Sequence, residues 1–285
     1  MRIDLHTHSA RSDGTDTPAQ LMAAAIAAGL DVIALTDHDT TAGWSEVAAH
    51  RPSGLIVVPG VELSCASPVA GAHAIGVHLL GYLFDREHPA FRAERVRLRA
   101  SRFGRAEEMV RRMRAAGLPI EWEQVQEIAA GAPVGRPHMA LALVRSGLAR
   151  TVDEAFSEHL NHGNPYYVRK ADVDVRDGVR LIRAAGGVPV LAHPLARRRG
   201  RVVGDDVIAG LATAGLFGLE VDHPDHLDED RRHLRVLAHE LGLFCTGSSD
   251  YHGRNKPTPI GMCATDPGVL DAIVGLATGT PPYAD

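Results

Sequence analysis

Short runs of Val, Ile and Leu recur along this chain, and nearly every one closes on Asp, Glu or His. DVIALTDHD (31–39), LIVVPGVE (55–62), VPVLAHP (188–194), GLFGLEVDH (215–223) and LGLFCTGSSDYH (241–252) all have that form. Runs this short read as buried strands, and the helical patterns between them make the chain α/β. Residues 2–5 predict a first strand and HAIGVHLLGYLF (73–84) another. Thr17 before Pro18 supplies an N-cap and a first-turn proline, and Gly29 a stop, so a helix is expected over 18–28. Further helices are expected over 41–50 and 176–185, the latter turning through Gly186-Gly187 into the strand at 188.

Residues 88–165 break this rhythm. They carry helical patterning and few β-branched runs, as an inserted or capping subdomain would. Residues 92–114 hold nine Arg and three Glu, a net of +6, so the remainder of a chain with net charge −5 carries −11. Such a run is either a solvated helix face or an anion-binding surface. The chain as a whole is acidic and no electrostatic match for nucleic acid. The 285 residues suffice for one or two domains with a full core. No apolar run is long enough to span a bilayer, and MRIDLHTHS has no apolar signal region, so a cytoplasmic protein without membrane contact is expected. Three cysteines without a CxxC pair make a disulfide framework or a thiolate zinc site a poor fit. No GxxxxGK[ST] phosphate loop is present.

Histidine is the unusual component: there are 16, against five Tyr, six Phe and six Met. His6 and His8 follow the first strand two residues apart, a spacing that puts both rings on one side of an extended chain. Asp13 comes next, then Asp37-His38-Asp39, Glu62, His78 or His73, His193 in Ala-His-Pro, and Asp250 with His252 two apart. Isolated histidines are mostly structural. Histidines and carboxylates that recur at strand ends mark one site, because α/β barrels build their sites at the C-terminal ends of strands. Imidazole and carboxylate without thiolate suit Zn, Mn or Fe. One catalytic zinc takes about three protein ligands, so this set is large enough for two or three ions. Clustered divalent ions fit phosphoester hydrolysis: they acidify water, neutralise phosphate charge and steady the leaving oxygen.

HTHSARSDGT, ALTDHDT, VPGVEL, HLLGY, VLAHP and GSSDYHG, in this order, resemble the motifs of the polymerase and histidinol phosphatase (PHP) family of metal-dependent phosphoesterases over nearly the whole chain. The resemblance implies a distorted (β/α)7 barrel made of 1–87 and 166–285, with 88–165 as a mainly helical insertion. It implies a trinuclear centre, most readily of Mn, with Zn or Fe as alternatives. His6, His8, Glu62 and Asp250 would take the first ion. Glu62, His78 and His193 would take the second, and Asp13, His38 and His252 the third. Asp13 stands where some branches have histidine. His78 is preferred to His73 because it directly precedes the LLGY stretch. Glu62, His193 and Asp250 are the expected catalytic core.

Within the family, the chain most resembles the nucleoside 3′,5′-bisphosphate phosphatases and short-RNA 5′-to-3′ exonucleases. That branch implies substrate-phosphate contacts from Arg102, Arg105 and Arg136 of the insertion. Guanidinium groups suit this role because they give bidentate, charge-assisted bonds to phosphate. The expected partner is a small phosphorylated molecule, a nucleotide or short RNA, with no stable protein partner. Competing readings are a phosphatase of histidinol phosphate or a cyclic phosphodiester, and a non-catalytic metal-binding module. The general acid is open between water at the ions and a histidine such as His138 or His223. Glu220, His223 and His226 are open between support and substrate contact, and Tyr82, Tyr166 and Tyr167 between base stacking and packing. His50, His88, His159, His162, His233 and His239 are expected at the surface.

Overall fold

The computed structural model describes residues 1–161 and 163–285, so the expectation for His162 lies outside the described residues. The first part of the chain runs β1 (Ile3–Thr7), α1 (Pro18–Ala27), β2 (Val32–Leu35), α2 (Trp44–His50), β3 (Ile56–Val69) and β4 (Ala72–Tyr82). The helical stretch that the sequence reads as an insertion follows with α3 (Pro89–Ala115), α4 (Trp122–Ala129), α5 (Arg136–Arg145) and α6 (Val152–Ala155). The chain then continues with β5 (Val173–Asp174), α7 (Val175–Ala184), β6 (Val188–Ala192), α8 (Asp205–Ala214), β7 (Gly218–Asp222), α9 (Asp228–Leu241), β8 (Phe244–Gly247) and α10 (Pro267–Leu276).

Local signals explain several of these limits. Thr17 caps α1 by accepting from the Gln20 N–H, and the Gln20 side chain reaches back to the Thr17 N–H, closing a capping box. His88 caps α3 through its ring, and Asp174 caps α7. Gly186 ends the α7 turn with φ near +73°, a conformation that glycine adopts without steric cost.

Seven strands lie in the order β1-β2-β3-β4-β6-β7-β8, and β5 pairs separately with β3. The sheet is nearly closed, because Thr7 bridges in parallel to Tyr251 just beyond β8. β1, β2 and β3 run parallel, as do β6, β7 and β8, but β4 is antiparallel to both neighbours. This reversal is the distortion of the barrel. It also corrects the expectation that every site residue ends a strand. β3 continues to Val69 and returns as β4, so Glu62 and His78 sit within a long hairpin. His78 is nevertheless on the correct level, because an antiparallel strand brings its earlier residues to the face where its neighbours end.

Alternate strand residues sort into two cores. Ile3, Leu5, Val32, Ala34, Val58, Leu80, Tyr82 and Val190 cluster together, with Leu270 and Ile273 of α10 added. Ile33, Leu35, Val57, Val61 and Leu79 belong instead with helix residues such as Leu21, Trp44, Val179 and Ile208. The insertion has its own cluster, including Met109, Met113, Ile120, Met139 and Leu143. α3 joins the two bodies: Phe91 and Leu98 lie in the barrel's cluster, whereas Ala106, Met109 and Met113 lie in the insertion's. Tyr82 is buried, with its hydroxyl donating to the Leu5 carbonyl, so it packs and does not stack on a base. Among the described residues no helix is long and apolar enough to cross a membrane.

Candidate metal centre

The HTHSARSDG segment leaves β1 and folds back on itself tightly. A Cβ at Gly14 would lie 2.6 Å from the His8 carbonyl oxygen, so only glycine lets Asp13 return beneath His8. The Nε2 atoms of His6 and His8 are 3.0 Å apart. Glu62 lies at the centre. Its Oε2 is 3.2 Å from His6 Nε2, 3.1 Å from His8 Nε2 and 3.2 Å from His38 Nδ1. Its Oε1 is 2.6 Å from His78 Nδ1 and 3.0 Å from His193 Nε2. Asp250 Oδ1 is 3.5 Å from His6 Nε2 and 3.3 Å from His8 Nε2. Asp13 is 3.7 Å from His38 Nε2 and 3.4 Å from His252 Nε2. The nine residues expected from the sequence therefore meet in one cluster.

Among the described residues three groupings have ligand atoms close enough to hold an ion: His6, His8, Glu62 and Asp250; His8, Asp13, His38 and His252; and His38, Glu62 and His78. The first coincides with the expected set. The second adds His8 to the expected Asp13, His38 and His252, and the third has His38 where His193 was expected, because His38 turns one ring nitrogen to Glu62 and the other to Asp13. His193 reaches Glu62 Oε1 but lies outside the three groupings. His73 is exposed and away from the cluster.

The donor atoms fit divalent ions. His38 Nδ1, His78 Nδ1 and Asp250 Oδ1 are buried and have no hydrogen-bond partner among the described residues. Orphaned buried polar atoms are costly, and ions at the two groupings to which these atoms belong would satisfy them. Backbone strain points the same way. His193 (φ 30°), Asp250 (φ 52°) and Asp39 (φ 56°) all lie in the left-handed region, where non-glycine residues gather at functional sites.

Without an ion, the cluster divides protons unevenly. Burial opposes a charge on His8, yet Asp250 and Glu62 raise its pKa to about 9. Burial, aided by the Arg199 charge, pushes His193 down to about 3. Burial and the neighbouring His8 push His252 down to about 4. Burial also opposes the Glu62 carboxylate, but His38, His78 and His6 hold it well below its ordinary range. Protons on imidazole here occupy positions that a metal ion would take.

Residues that were not legible as site residues hold this arrangement in place. Asp4, Asp37 and Asp39 repeat one clamp, each accepting both the N–H and the Oγ–H of a serine close to a proposed ligand. Asp4 holds Ser249, Asp37 holds Ser9, and Asp39 holds Ser64. The only sequence signal was the placing of aspartates on both sides of His38. His223 Nε2 lies 3.4 Å from Asp250 Oδ2, on which Arg199 and Lys256 also converge. His226 bonds to Val221 O and Leu195 N, so it supports the loops without facing the cluster.

The arginine run divides into two populations. Arg97, Arg111, Arg112 and Arg114 pair with Glu94, Glu108 and Glu121 at the surface. Arg102 and Arg105 are buried. Arg102 donates to Asp39 Oδ2 at 2.5 Å and to Ser64 Oγ at 2.6 Å, which ties α3 to β3 beside Glu62. Arg105 Nε has no hydrogen-bond partner among the described residues. Burial, then the charges of Arg136 and Arg102, push Arg105 down to about 9. Arg136 opens α5, donates to the Leu160 carbonyl at 3.3 Å and lies over the rings of Phe156 and Tyr167. Lys170 is half-buried and pairs with Asp172, and burial with Arg102 nearby holds its pKa well below normal.

Residues 4–80 match the family model of the PHP domain. The chain is 34% identical over 257 residues to the 3′,5′-nucleoside bisphosphate phosphatase of Chromobacterium violaceum, covering 88% of this chain and 87% of that protein. It is 32% identical to a 5′-3′ exoribonuclease of Haemophilus influenzae, with 88% and 90% covered. It is 33% identical to the phosphoribosyl 1,2-cyclic phosphate 1,2-diphosphodiesterase of Eggerthella lenta, with 90% and 96% covered. A solved structure from Bifidobacterium adolescentis, provisionally assigned as a metal-dependent phosphoesterase, superposes with a TM-score of 0.90 at 32% identity, covering 97% of this chain and 96% of that one. The barrel, its histidine–carboxylate cluster and these relatives together define a metal-dependent phosphoesterase. The chain belongs to the PHP family of these enzymes.

Proposed function

We propose that this protein removes the 3′-phosphate of nucleoside 3′,5′-bisphosphates, with Mn as its metal, and leaves nucleoside 5′-monophosphate and phosphate. The observation that carries this reading is Arg105, a buried guanidinium that forms no ion pair among the described residues and lies beside Arg136 and Arg102. Unpaired buried charge is costly, so the subsite is built for an anion that arrives with the substrate. A bisphosphate brings a second phosphate to fill it.

In this reading His6, His8, Glu62 and Asp250 hold one ion. Glu62, His78 and His193 would hold another, and Asp13, His38 and His252 the third. When bound, the ions supply Lewis-acid activation of water and phosphate. Glu62 and Asp250 fix the positions of the reacting groups, and the strained turn at His193 aims its ring at Glu62. The insertion, 88–165, presents Arg105 and Arg136 to the non-reacting phosphate. Arg102 anchors that subsite to β3 and adds its charge. Water is the nucleophile, and the ribose hydroxyl leaves after taking up a proton.

The exoribonuclease relative supports a second activity at the same site, stepwise trimming of short RNA from its 5′ end, since the arginines could grip a terminal phosphate in either substrate. Phosphate and nucleotide release should be measured with adenosine 3′,5′-bisphosphate, short 5′-phosphorylated RNA, a cyclic phosphodiester and histidinol phosphate, each with Mn, Mg and Zn. The proposal expects 5′-AMP and phosphate from the bisphosphate. A far higher kcat/KM for histidinol phosphate or the cyclic diester would replace it, and no hydrolysis of any of them would leave a binding module.

A further inference from the structure

Glu220 belongs to none of the three ion groupings, yet it is completely buried on β7 next to them. Its Oε1 lies 2.9 Å from His6 Nδ1, and its Oε2 accepts the His193 N–H at 2.8 Å. The Ser248 hydroxyl also donates to Oε1. One carboxylate thus gathers donors from β1, from the end of β6 and from the end of β8.

We infer that Glu220 is a positioning residue that fixes the tautomer of His6 and the pose of His193, and thereby forms the ion position shared by His6, His8, Glu62 and Asp250. This inference rests on the metal-centre reading above. A carboxylate facing Nδ1 requires the proton on that nitrogen, so Nε2 presents its lone pair to the cluster. That lone pair lies 3.2 Å from Glu62 Oε2 and 3.5 Å from Asp250 Oδ1. Electron pairs from one imidazole and two carboxylates converging this closely suit a cation between them, whose place a proton takes when no ion is bound. The opposite tautomer would point an N–H into that space and keep an ion out. The second oxygen of Glu220 acts on His193. It holds the backbone N–H of a residue strained at φ 30°, which keeps the ring 3.0 Å from Glu62 Oε1.

Glu220→Gln is nearly isosteric and tests this directly. A glutamine has one acceptor oxygen, and its amide N–H2 must face one of the donors that the carboxylate now satisfies. If it faces His6, the ring takes the other tautomer. Removing such an outer partner typically costs about ten- to a hundredfold in metal affinity. The variant should therefore keep a cooperative melt but bind Mn2+ roughly ten- to a hundredfold more weakly at its tightest site, read as free Mn2+ by electron paramagnetic resonance. A folded variant with wild-type Mn2+ affinity would overturn the inference. If the variant does not fold, 15N spectra of the histidine-labelled, Zn2+-loaded wild-type protein decide: His6 should carry its proton on Nδ1 and its metal on Nε2, and the reverse would overturn it. A wild-type protein that takes up neither Mn2+ nor Zn2+ would overturn the metal-centre reading itself.

Discussion

Arg105 is the residue at which stability and function pull apart. Its guanidinium is buried without an ion-pair partner among the described residues, and burial, then the charges of Arg136 and Arg102, pushes its pKa down to about 9. Replacing a buried, uncompensated charge with an apolar group of similar length removes a desolvation cost. Arg105→Met should therefore raise the melting temperature of the substrate-free protein. It should also remove a charge-assisted bond of roughly 1.5–3 kcal/mol to a bound phosphate. On that basis kcat/KM for adenosine 3′,5′-bisphosphate should fall by roughly ten- to more than a hundredfold. An aryl monophosphate, having no second phosphate, should be hydrolysed at nearly the wild-type rate. Melting curves and steady-state kinetics on both substrates check the pair of outcomes, and an equal loss on both substrates would remove Arg105 from the second-phosphate subsite.

At the scale of elements, α7 sits close against the β3–β4 hairpin that carries Glu62 and His78. A Cβ at Gly178 would lie 2.9 Å from Cys65 Sγ and 2.9 Å from Leu79 Cδ1. Gly178→Val should thus cost about 1–3 kcal/mol through overpacking, measurable by urea denaturation. Because the hairpin carries two of the proposed ligands, the same variant should also bind Mn2+ more weakly. Much of this architecture was legible in the sequence. Strand positions followed from the apolar runs, and α1 from Thr17, Pro18 and Gly29, because those signals are local. The direction of β4 was not legible, since an apolar run looks the same read in either sense, and only its partners fix its polarity. The extension of β3 to Val69 was hidden because Ser64, Ser67 and Pro68 dilute the apolar pattern. The ligands stood out because histidine is rare enough to be noticed at strand ends. The aspartate–serine clamps did not, since Asp and Ser are as common in ordinary loops. Glu220 was visible only as a carboxylate near a strand end; its role depends on His6 and His193, which are remote in sequence.

For the whole molecule, the charges of the cluster predict how stability depends on pH when metal is absent. His193 and His252 are held neutral, at about 3 and about 4, so below pH ~6.5 the unfolded chain binds protons that the folded one does not. Stability should therefore fall as the pH drops from ~6.5 towards 4. His8 acts in the opposite sense. Its folded pKa of about 9 gives stability that is complete below ~6.5 and lost as the pH rises through 9. Metal-free protein should thus melt highest near pH ~6.5. With Mn2+ present the alkaline fall should shrink or reverse, because deprotonated ligands bind the ion more tightly. Melts from pH 4 to 9, with chelator and with Mn2+, should show both curves, and identical curves would mean that the ion does not replace protons in the cluster.

In the proposed function one multinuclear centre, assembled around Glu62, carries out phosphoester hydrolysis. It is tested most directly by titrating metal-free protein with Mn2+ while following phosphate release from adenosine 3′,5′-bisphosphate. Turnover should be absent without metal, and the rate should saturate only after more than one equivalent has bound. Full activity in rigorously metal-free protein would contradict it.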